Sequence, residues 1–367
     1  MNFINIAKKN NFIIVFNDMS LGGIQRKIID IISYSQTNYP NKSIILCLQR
    51  RQGLFLKQVP KNVKIINPPF QTPRFNNLWF IFWLAFVFYK YKPKYILSFM
   101  DLSSIPTLIA LQLLPLQKPY LTIGEDILTS KYVFIESFPK LRLKLIKKFY
   151  PKANSILVQT PVQKKDLNQI IGKSNNIIVS PNWLPLVFPP KYINKIKRDI
   201  DILFVGRIEA QKNPKKFIQI VKKTSLIFPK IKTVIVGQGS ESKTIKKLIK
   251  KLGLQKNIKI YPTTINPQKF YSRSKIFLLT SNYEGFPLTL LEAISCGCYP
   301  IINNIPEIRK FFDYQSGNFI FKNTAQAVKK ISKQLSHSRC KQLKYYQRKI
   351  IQSQNKNISL FVKRCIK

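Results

Sequence analysis

Short apolar runs alternate with stretches of helical spacing along almost the whole chain. The first run, at 12–16, is bounded by polar residues and is followed by a glycine-bearing loop and by isoleucines at helical spacing. Runs of this kind predict buried strands, and the isoleucine spacing predicts an amphipathic helix. In the first half of the chain, strands are predicted at 12–16, 43–48, 63–66, 95–99, 118–123, 155–159 and 176–179.

The alternation is interrupted by a cluster of prolines between 181 and 190 and then restarts. Alternation of strands with helices is typical of a parallel sheet that is covered by helices on both faces. In the second half, strands are predicted at 200–205, 233–236, 257–261, 276–280 and 299–302, and helices at 214–224 and 241–252.

We therefore predict an α/β protein with two doubly wound, Rossmann-like domains that face each other across a cleft. The first domain covers 1–180 and the second 199–345, and a proline-rich linker at 181–198 joins them. A C-terminal helix at 346–367 follows, which could pack back on the first domain. Ligands of such sheets bind beyond the carboxyl ends of the strands.

The charge of the chain favours anionic partners. Lys and Arg number 62 against 15 Asp and Glu, which gives a formal net charge of +47. An AT-rich genome explains many lysines but not the small number of acids. A preference for phosphate, acidic lipid or nucleic acid is the better interpretation.

The scarcity of histidine and cysteine limits the kinds of catalytic and metal sites that the chain can form. The only histidine is His337, and five scattered cysteines lack the spacing of zinc ligands. A Ser-His-Asp triad is thereby excluded, and we expect neither a metal nor a cofactor. No apolar stretch reaches the roughly 20 residues of a transmembrane helix, and the apolar run at 12–16 is too short for a signal peptide. We expect a cytoplasmic protein.

Residues 281–293 carry the most informative pattern. A predicted strand runs into a loop with Gly285, and Pro287 suits the first position of a helix. Free backbone N–H groups around 286–289 would form an anion site suited to a phosphate. Glu284 lies before this helix and Glu292 about two turns into it, where both can accept hydrogen bonds from sugar or ribose hydroxyls. The alternative is a pair of solvated helix carboxylates.

A second candidate follows the first strand of the second domain. Gly206 allows a ligand to approach the backbone, and Arg207 and Lys212 offer a guanidinium fork and a point charge to a diphosphate. Because the chain is so basic, only the position at a strand end distinguishes this loop. The glycine pairs at 22–23 and at 237 and 239 are weaker signals.

Together these residues resemble a known family. Glu284 and Glu292 form an E-x7-E motif, and with Gly206-Arg207, Lys212 and the Gly22-Gly23 loop the chain resembles the family 4 retaining glycosyltransferases (glycosyl transferases group 1) of GT-B fold. The resemblance covers about residues 10–325. It implies catalytic roles for Arg207, Lys212 and Glu284, and donor-binding roles for Gly22, Gly23, Gly206, Gly285, Phe286, Pro287, Leu288, Thr289 and Glu292.

The resemblance further implies a reaction. A hexose or N-acetylhexosamine would pass from a nucleoside-diphosphate sugar, with UDP suggested by the subfamily, to a glycan or polyprenyl-diphosphate-linked acceptor, with retention and without a metal. The pathway would be cell-surface polysaccharide or lipopolysaccharide biosynthesis. One departure concerns the acceptor: many relatives carry a histidine or a Ser-Glu-Arg-like segment after the fifth strand, where this chain has Glu125 and Asp126. Either could contact the sugar or acceptor instead.

Two stretches bear on membranes. Residues 78–89 are uncharged and rich in aromatics, and 138–148 form a basic amphipathic stretch. A buried helix is the preferred interpretation of the first, yet both also suit peripheral attachment to an anionic membrane surface at the inner face of the cytoplasmic membrane.

Other functions fit the sequence less well. A nucleic-acid-binding protein is suggested by the charge alone, and no binding module is recognisable. We therefore expect no nucleic-acid partner. Another GT-B enzyme, such as a nucleotide-sugar epimerase or a glycosyl phosphorylase, is the closer alternative, although an epimerase would need further acid/base groups.

Overall fold

The computed structural model describes residues 11–69, 76–115, 118–134, 137–188, 197–309, 311–312, 318–336 and 341–366. The chain divides into two compact units, Met1–Asn182 with Asn355–Lys367, and Trp183–Gln354. Residues 189–196 of the predicted linker lie outside the described residues. The four-part domain division proposed from the sequence is finer than this and stays a prediction.

The first unit is built on a parallel sheet of seven described strands, in the order β3-β2-β1-β4-β5-β6-β7. Its central strands are apolar and buried along their whole length, as expected for a sheet covered on both faces. The strands are β1 (Asn11–Phe16), β2 (Ser43–Leu48), β3 (Lys64–Ile66), β4 (Tyr95–Phe99), β5 (Tyr120–Glu125), β6 (Ser155–Val158) and β7 (Ile177–Val179). The helices are α1 (Gly23–Asn38), α2 (Asn76–Tyr91), α3 (Met100–Gln112), α4 (Thr129–Tyr132), α5 (Pro139–Phe149) and α6 (Pro161–Ile171).

The second unit repeats this plan with six described strands, all parallel, in the order β10-β9-β8-β11-β12-β13. The strands are β8 (Ile200–Val205), β9 (Thr233–Val236), β10 (Ile258–Tyr261), β11 (Ser274–Leu279), β12 (Tyr299–Asn303) and β13 (Ile320–Phe321). The helices are α7 (Pro214–Ile227), α8 (Ser242–Lys251), α9 (Gln268–Tyr271), α10 (Leu288–Ser295), α11 (Pro306–Arg309), α12 (Thr324–Ser336) and α13 (Lys341–Cys365).

The strand order determines where the three glycine-bearing loops lie. In each sheet successive strands are added first to one side and then to the other, and this order reverses between two neighbouring parallel strands, β1 and β4 in the first unit and β8 and β11 in the second. The carboxyl ends of such neighbours leave a crevice where ligands bind. The glycine loop at 22–23 follows β1, and the loops at 206–213 and 280–287 follow β8 and β11. The prediction of two parallel α/β sheets is confirmed.

The last helix, α13, crosses the boundary between the units. Its final turns belong to the first unit, where the Phe361 ring stacks on Phe99 at 6.3 Å between centroids. There the Asn357 amide donates to the carbonyl of Asn182 (3.1 Å), and the Arg364 guanidinium donates to the carbonyl of Val179 (2.9 Å). The end of the chain is thus hydrogen-bonded to the end of the first unit's sheet.

Three details differ from the sequence prediction. Strand β13 was not predicted, because two residues are too short for a periodic signal. Pro287 caps α10 rather than opening it, so the helix begins at Leu288. Helix α2 buries only one face, whereas a buried helix is the interpretation that the sequence favours. No helix in the described part of the chain is long and apolar enough to cross a membrane.

Candidate functional site

The two loops that follow β8 and β11 are hydrogen-bonded to each other. The backbone N–H of Asn282 donates to the carbonyl of Gln211 (2.9 Å), and the Asn282 side chain donates to the carbonyl of Ala210 (3.0 Å). From the end of β11, the Thr280 hydroxyl donates to the carbonyl of Lys212 (3.0 Å). The first loop ends where Asn213 caps α7 by accepting from the N–H of Lys216 (3.1 Å). These bonds hold Lys212 and Glu284 at a fixed separation.

Lys212 and Glu284 form an ion pair. The Lys212 Nζ lies 2.6 Å from Glu284 Oε1, and the two side chains are only 13% and 7% exposed. A pair this far from water is screened little, so its charges act strongly on a neighbouring ligand. Two of the three predicted catalytic residues are therefore brought together.

The third predicted catalytic residue, Arg207, is the accessible cation of this cluster. Its side chain is 53% exposed, and its Nη1 lies 3.2 Å from a carboxylate oxygen of Glu209. Its Nη2 donates over 3.5 Å to the Gln211 side-chain oxygen. Its exposed guanidinium is a cation that a diphosphate could reach.

Gln211 is a residue that the sequence prediction missed. Its buried side-chain amide donates to the carbonyl of Tyr283 (3.2 Å) and reaches Glu284 Oε2 at 3.5 Å, while its oxygen accepts from Arg207. It thus links the predicted catalytic residues Arg207 and Glu284. Nothing in a single sequence marks a glutamine for such a role, apart from its place next to Lys212.

The glycine pair at 237 and 239, a weak signal in the sequence, has a packing role. A Cβ at Gly237 would overlap the carbonyl oxygen of Gly206, and a Cβ at Gly239 would lie 2.5 Å from the carbonyl oxygen of Ile208. The N–H of Ile208 donates to the carbonyl of Gln238 (3.0 Å). The loop after β9 therefore supports the loop that carries Arg207, and only glycine fits there.

The segment from Gly285 to Thr289 leads into α10. Pro287 provides no side-chain hydrogen bond to the first turn, although its carbonyl accepts from the N–H of Leu290 (3.1 Å). The N–H groups of Leu288 and Thr289 have no partner inside the helix by geometry. Among the described residues, the buried hydroxyl oxygens of Thr289 and Ser281 find no hydrogen-bond partner. Unsatisfied donors at a helix N-terminus suit an anionic oxygen-rich ligand such as a phosphate. Phe286 and Leu288 pack against the hydrophobic core of this unit.

Glu292 is the fifth residue of α10, a little over one turn into the helix rather than two. It is 4% exposed, and its Oε2 accepts a hydrogen bond from the Tyr271 hydroxyl at 2.9 Å. Burial and the Glu292 charge raise the pKa of Tyr271, which keeps this hydroxyl a donor. The interpretation of Glu292 as a solvated helix carboxylate is therefore wrong, and its predicted ribose contact stays a prediction.

In the first unit, Gly22 caps α1 and Gly23 begins it. The preceding turn is fixed by Asp18, which accepts from the N–H of Ser20 (3.0 Å) and pairs with Arg50 (3.1 Å). Gly22 has extended backbone angles, and a Cβ there would meet only the flexible Gln25 side chain. The fold itself does not require glycine at 22.

Glu125 and Asp126, the predicted acceptor contacts, lie at the end of β5 in different surroundings. The Glu125 carboxyl is fully buried and accepts from the hydroxyls of Tyr150 and Thr129. Asp126 pairs with Lys27 of α1 at 2.8 Å and keeps a 12% exposed side chain. Asp126 is therefore the more accessible of the two carboxylates.

Glu125 gives the first unit a pH-dependent stability. Burial, reinforced by the charges of Asp101 and Asp126, raises the pKa of its carboxyl from 4.5 to about 8, although the hydrogen bonds from Tyr150 and Thr129 oppose the rise. The folded state thus binds this proton more tightly than the unfolded state does. The resulting stability is fully present below about pH 4.5 and is lost as the pH rises towards 8.

We expect Glu125→Gln to remove this dependence. Between about pH 5 and 8 the free energy of unfolding of the natural protein should fall relative to that of the variant, by on the order of a few kcal/mol. Chemical denaturation at a series of pH values measures the difference. Glu209→Gln, at a partly exposed position, is the control and should keep the natural pH dependence. Parallel profiles for the natural protein and Glu125→Gln would contradict the assignment.

No group of three or more His, Cys, Asp and Glu that could hold a metal ion occurs in the described part of the chain. The predicted residues fall into two sets. Gly206, Arg207, Lys212, Gly285 to Thr289, Glu284 and Glu292 lie in the second unit. Gly22, Gly23, Glu125 and Asp126 lie in the first.

Comparison with solved structures shows the fold. The structure of HepE from Anabaena, in complex with UDP and glucose, superposes with a TM-score of 0.78 over 96% of this chain and 99% of that chain, at 15% identity. The match extends over both units, and it identifies the architecture as GT-B.

Comparison with curated proteins finds glycosyltransferases. An uncharacterized glycosyltransferase of Methanocaldococcus jannaschii is 29% identical over 176 residues, which are 45% of this chain and 43% of that protein. The N-acetylgalactosamine-N,N'-diacetylbacillosaminyl-diphospho-undecaprenol 4-alpha-N-acetylgalactosaminyltransferase of Campylobacter jejuni is 28% identical over 163 residues, 42% of each chain. The chain thus matches less than half of the length of each of these relatives.

A segment that contains most of the second unit also matches a protein family. Residues 190–363 match the family described as Glycosyl transferases group 1. This segment contains both members of the E-x7-E motif and the loop with Arg207 and Lys212. Residues 190–363 are therefore similar to glycosyl transferases group 1, and the two units together have the GT-B fold.

Proposed function

We propose that the protein is a retaining, metal-independent glycosyltransferase. It moves a hexose or N-acetylhexosamine from a nucleoside-diphosphate sugar, with UDP as the first candidate, to a glycan or lipid-linked glycan acceptor. The product belongs to a cell-surface polysaccharide or lipopolysaccharide. The observation that carries the proposal is the buried Lys212–Glu284 pair, which lies beside Arg207 at the crevice between β8 and β11.

The charges of this site suit the departure of a nucleoside diphosphate. When the bond between the sugar C1 and the diphosphate oxygen breaks, the electron pair stays on the diphosphate. Lys212 and Arg207 stabilise that negative charge, together with the N-terminus of α10. The Lys212 ammonium has three N–H donors, so it can contact Glu284 and a phosphate oxygen at once.

The carboxylates of the site suit hydroxyl groups. Glu284, held by Lys212 and Gln211, accepts hydrogen bonds from the transferred sugar, and Glu292, held by Tyr271, accepts from the ribose. The acceptor hydroxyl forms the new bond to C1 on the face that the diphosphate leaves. Its proton passes to an oxygen of the leaving diphosphate. Because the new bond forms on the face where the old one breaks, the configuration at C1 is preserved.

The relatives support the choice of substrates. HepE was crystallised with UDP and glucose, and the name of the Campylobacter enzyme specifies an acceptor linked to diphospho-undecaprenol. For this chain we propose a UDP-sugar donor and, as one acceptor class, a polyprenyl-diphosphate-linked glycan. Peripheral attachment to the inner face of the cytoplasmic membrane would bring the enzyme to such an acceptor.

A transfer assay tests the proposal. The full chain is incubated with a panel of nucleotide sugars and with membrane extracts or a polyprenyl-diphosphate-linked sugar, and nucleoside diphosphate release and labelled product are followed. We expect turnover of one nucleotide sugar, unaffected by EDTA, and an α-linked product from an α-linked donor. If no nucleotide sugar is turned over, and DNA or RNA binds in a salt-sensitive manner, the alternative of a nucleic-acid-binding protein replaces this proposal.

A further inference from the structure

Helix α2 leaves a row of aromatic side chains uncovered. Trp79, Phe82, Phe86 and Tyr89 recur every three or four residues, and each is between 46% and 59% exposed. Residues on the opposite side of the helix, such as Phe80 and Leu84, are buried in the core of the first unit. We call these four exposed residues the aromatic face of α2. A continuous apolar surface of this kind marks an interaction site.

Helix α5 presents a basic face that is also partly apolar. Four lysines on it are exposed, Lys140, Lys144, Lys147 and Lys148, and we call them the basic face of α5. Leu141 within the helix and Phe138 just before it are also largely exposed. Neither α2 nor α5 contains an acidic residue. The two helices therefore combine apolar surface with uncompensated positive charge.

The two faces lie on the same side of the first unit. Both α2 and α5 pack against α3, and residues of all three helices join one hydrophobic core cluster on the sheet. The surface of each helix that faces away from this core therefore faces away from the sheet in the same general direction. The aromatic face and the basic face can meet one extended surface together.

We propose that these two helix faces bind an anionic lipid bilayer. Tryptophan, tyrosine and phenylalanine favour the boundary between headgroups and acyl chains, and lysines at its edge are attracted to anionic headgroups. Lys90 combines both features, because its ammonium lies 5.7 Å from the centre of the Phe86 ring at the end of α2. The helix lies on the membrane and does not cross it.

This inference deepens the proposed function. It rests on that function in one respect, the proposal that the acceptor is linked to a membrane lipid. Vesicle binding needs neither donor nor acceptor. Its failure would therefore leave sugar transfer to a soluble glycan untouched, and an inactive protein could still bind vesicles.

Co-sedimentation with vesicles tests the inference. The full chain is mixed with vesicles of phosphatidylcholine alone, or of phosphatidylcholine with phosphatidylglycerol, and the bound fraction is measured at low and high salt. We expect binding that needs phosphatidylglycerol and weakens with salt. A shift of tryptophan emission to shorter wavelength should accompany it, because Trp79 enters an apolar environment.

Matched variants distinguish binding through the two helix faces from binding through the net positive charge of the chain. Replacing the four lysines of the basic face by glutamine should weaken binding about 600-fold, from about fivefold for each lysine. The control removes four exposed lysines of α8, at 243, 246, 247 and 250, and should change binding less than about threefold. Changing Phe82, Phe86 and Tyr89 to serine, which keeps Trp79 as the reporter, should abolish the emission shift. Leu226→Ser with Ile227→Ser, at exposed positions of the second unit, should not.

Circular dichroism of each variant shows that it is folded, so that loss of binding is interpretable. Equal weakening by the α5 and α8 variants would overturn the inference, because the net positive charge of the whole chain would then account for the attraction to anionic vesicles. Equal binding to vesicles of phosphatidylcholine alone, or no binding to either vesicle, would overturn it as well.

Discussion

Lys212→Ala is expected to lower the rate of sugar transfer about 100- to 1000-fold. The Lys212 ammonium is buried beside Glu284, so its charge acts on the departing diphosphate with little screening. Its loss also leaves the buried Glu284 carboxylate without its cation. Steady-state kinetics with the nucleotide sugar that supports turnover measures the effect.

Lys215→Ala is the matched control. Lys215 is three residues further along the chain, is largely exposed and pairs with Glu241 at 3.2 Å. Its removal should change the rate less than about threefold, since exposed ion pairs contribute little. An undiminished rate in Lys212→Ala, or equal losses in the two variants, would contradict the assigned role of Lys212.

Asp101→Ala should lower the free energy of unfolding of the first unit by about 3–5 kcal/mol. Asp101 of α3 accepts two hydrogen bonds from the Arg142 guanidinium of α5, at 2.6 and 2.7 Å, and both side chains are buried. Without the carboxylate, a buried positive charge loses its counter-charge. Denaturant unfolding followed by circular dichroism measures the loss.

The comparison for Asp101 is an exposed pair of similar geometry. Asp199 and Arg273 are linked by two hydrogen bonds, and both side chains are well exposed. Asp199→Ala should therefore cost no more than about 1 kcal/mol. If both variants lose the same free energy of unfolding, burial does not determine the contribution of the Asp101–Arg142 pair.

The fold was predictable because the central strands of both sheets are buried apolar runs between polar loops. Strands β2, β4, β8 and β9 have the bounds that the apolar runs predict. The positions of Lys212 and Glu284 were predictable for a related reason. Each follows a strand at its carboxyl end, and parallel strands that are neighbours bring such ends together.

Other features depend on contacts between residues distant in the sequence. The hydrogen bonds of Gln211 to residues 283 and 284, and that of Tyr271 to Glu292, join segments without any shared periodicity. Apolar content alone also could not show which face of α2 is covered, because the helix is apolar all round. One face of α2 is covered because α3 packs against the helix, and α3 comes from a separate segment of the sequence.

Nucleotide binding by the second unit tests the central claim most directly. A ligand that binds only the folded protein stabilises it by about 2.7 kcal/mol at 100 times its dissociation constant, so the melting temperature must rise. UDP or another nucleoside diphosphate should raise the melting temperature of the natural protein and of Lys215→Ala, and should have little effect on Lys212→Ala. If no nucleotide raises it, or if Lys212→Ala responds as the natural protein does, the donor site is not at Lys212 and Glu284.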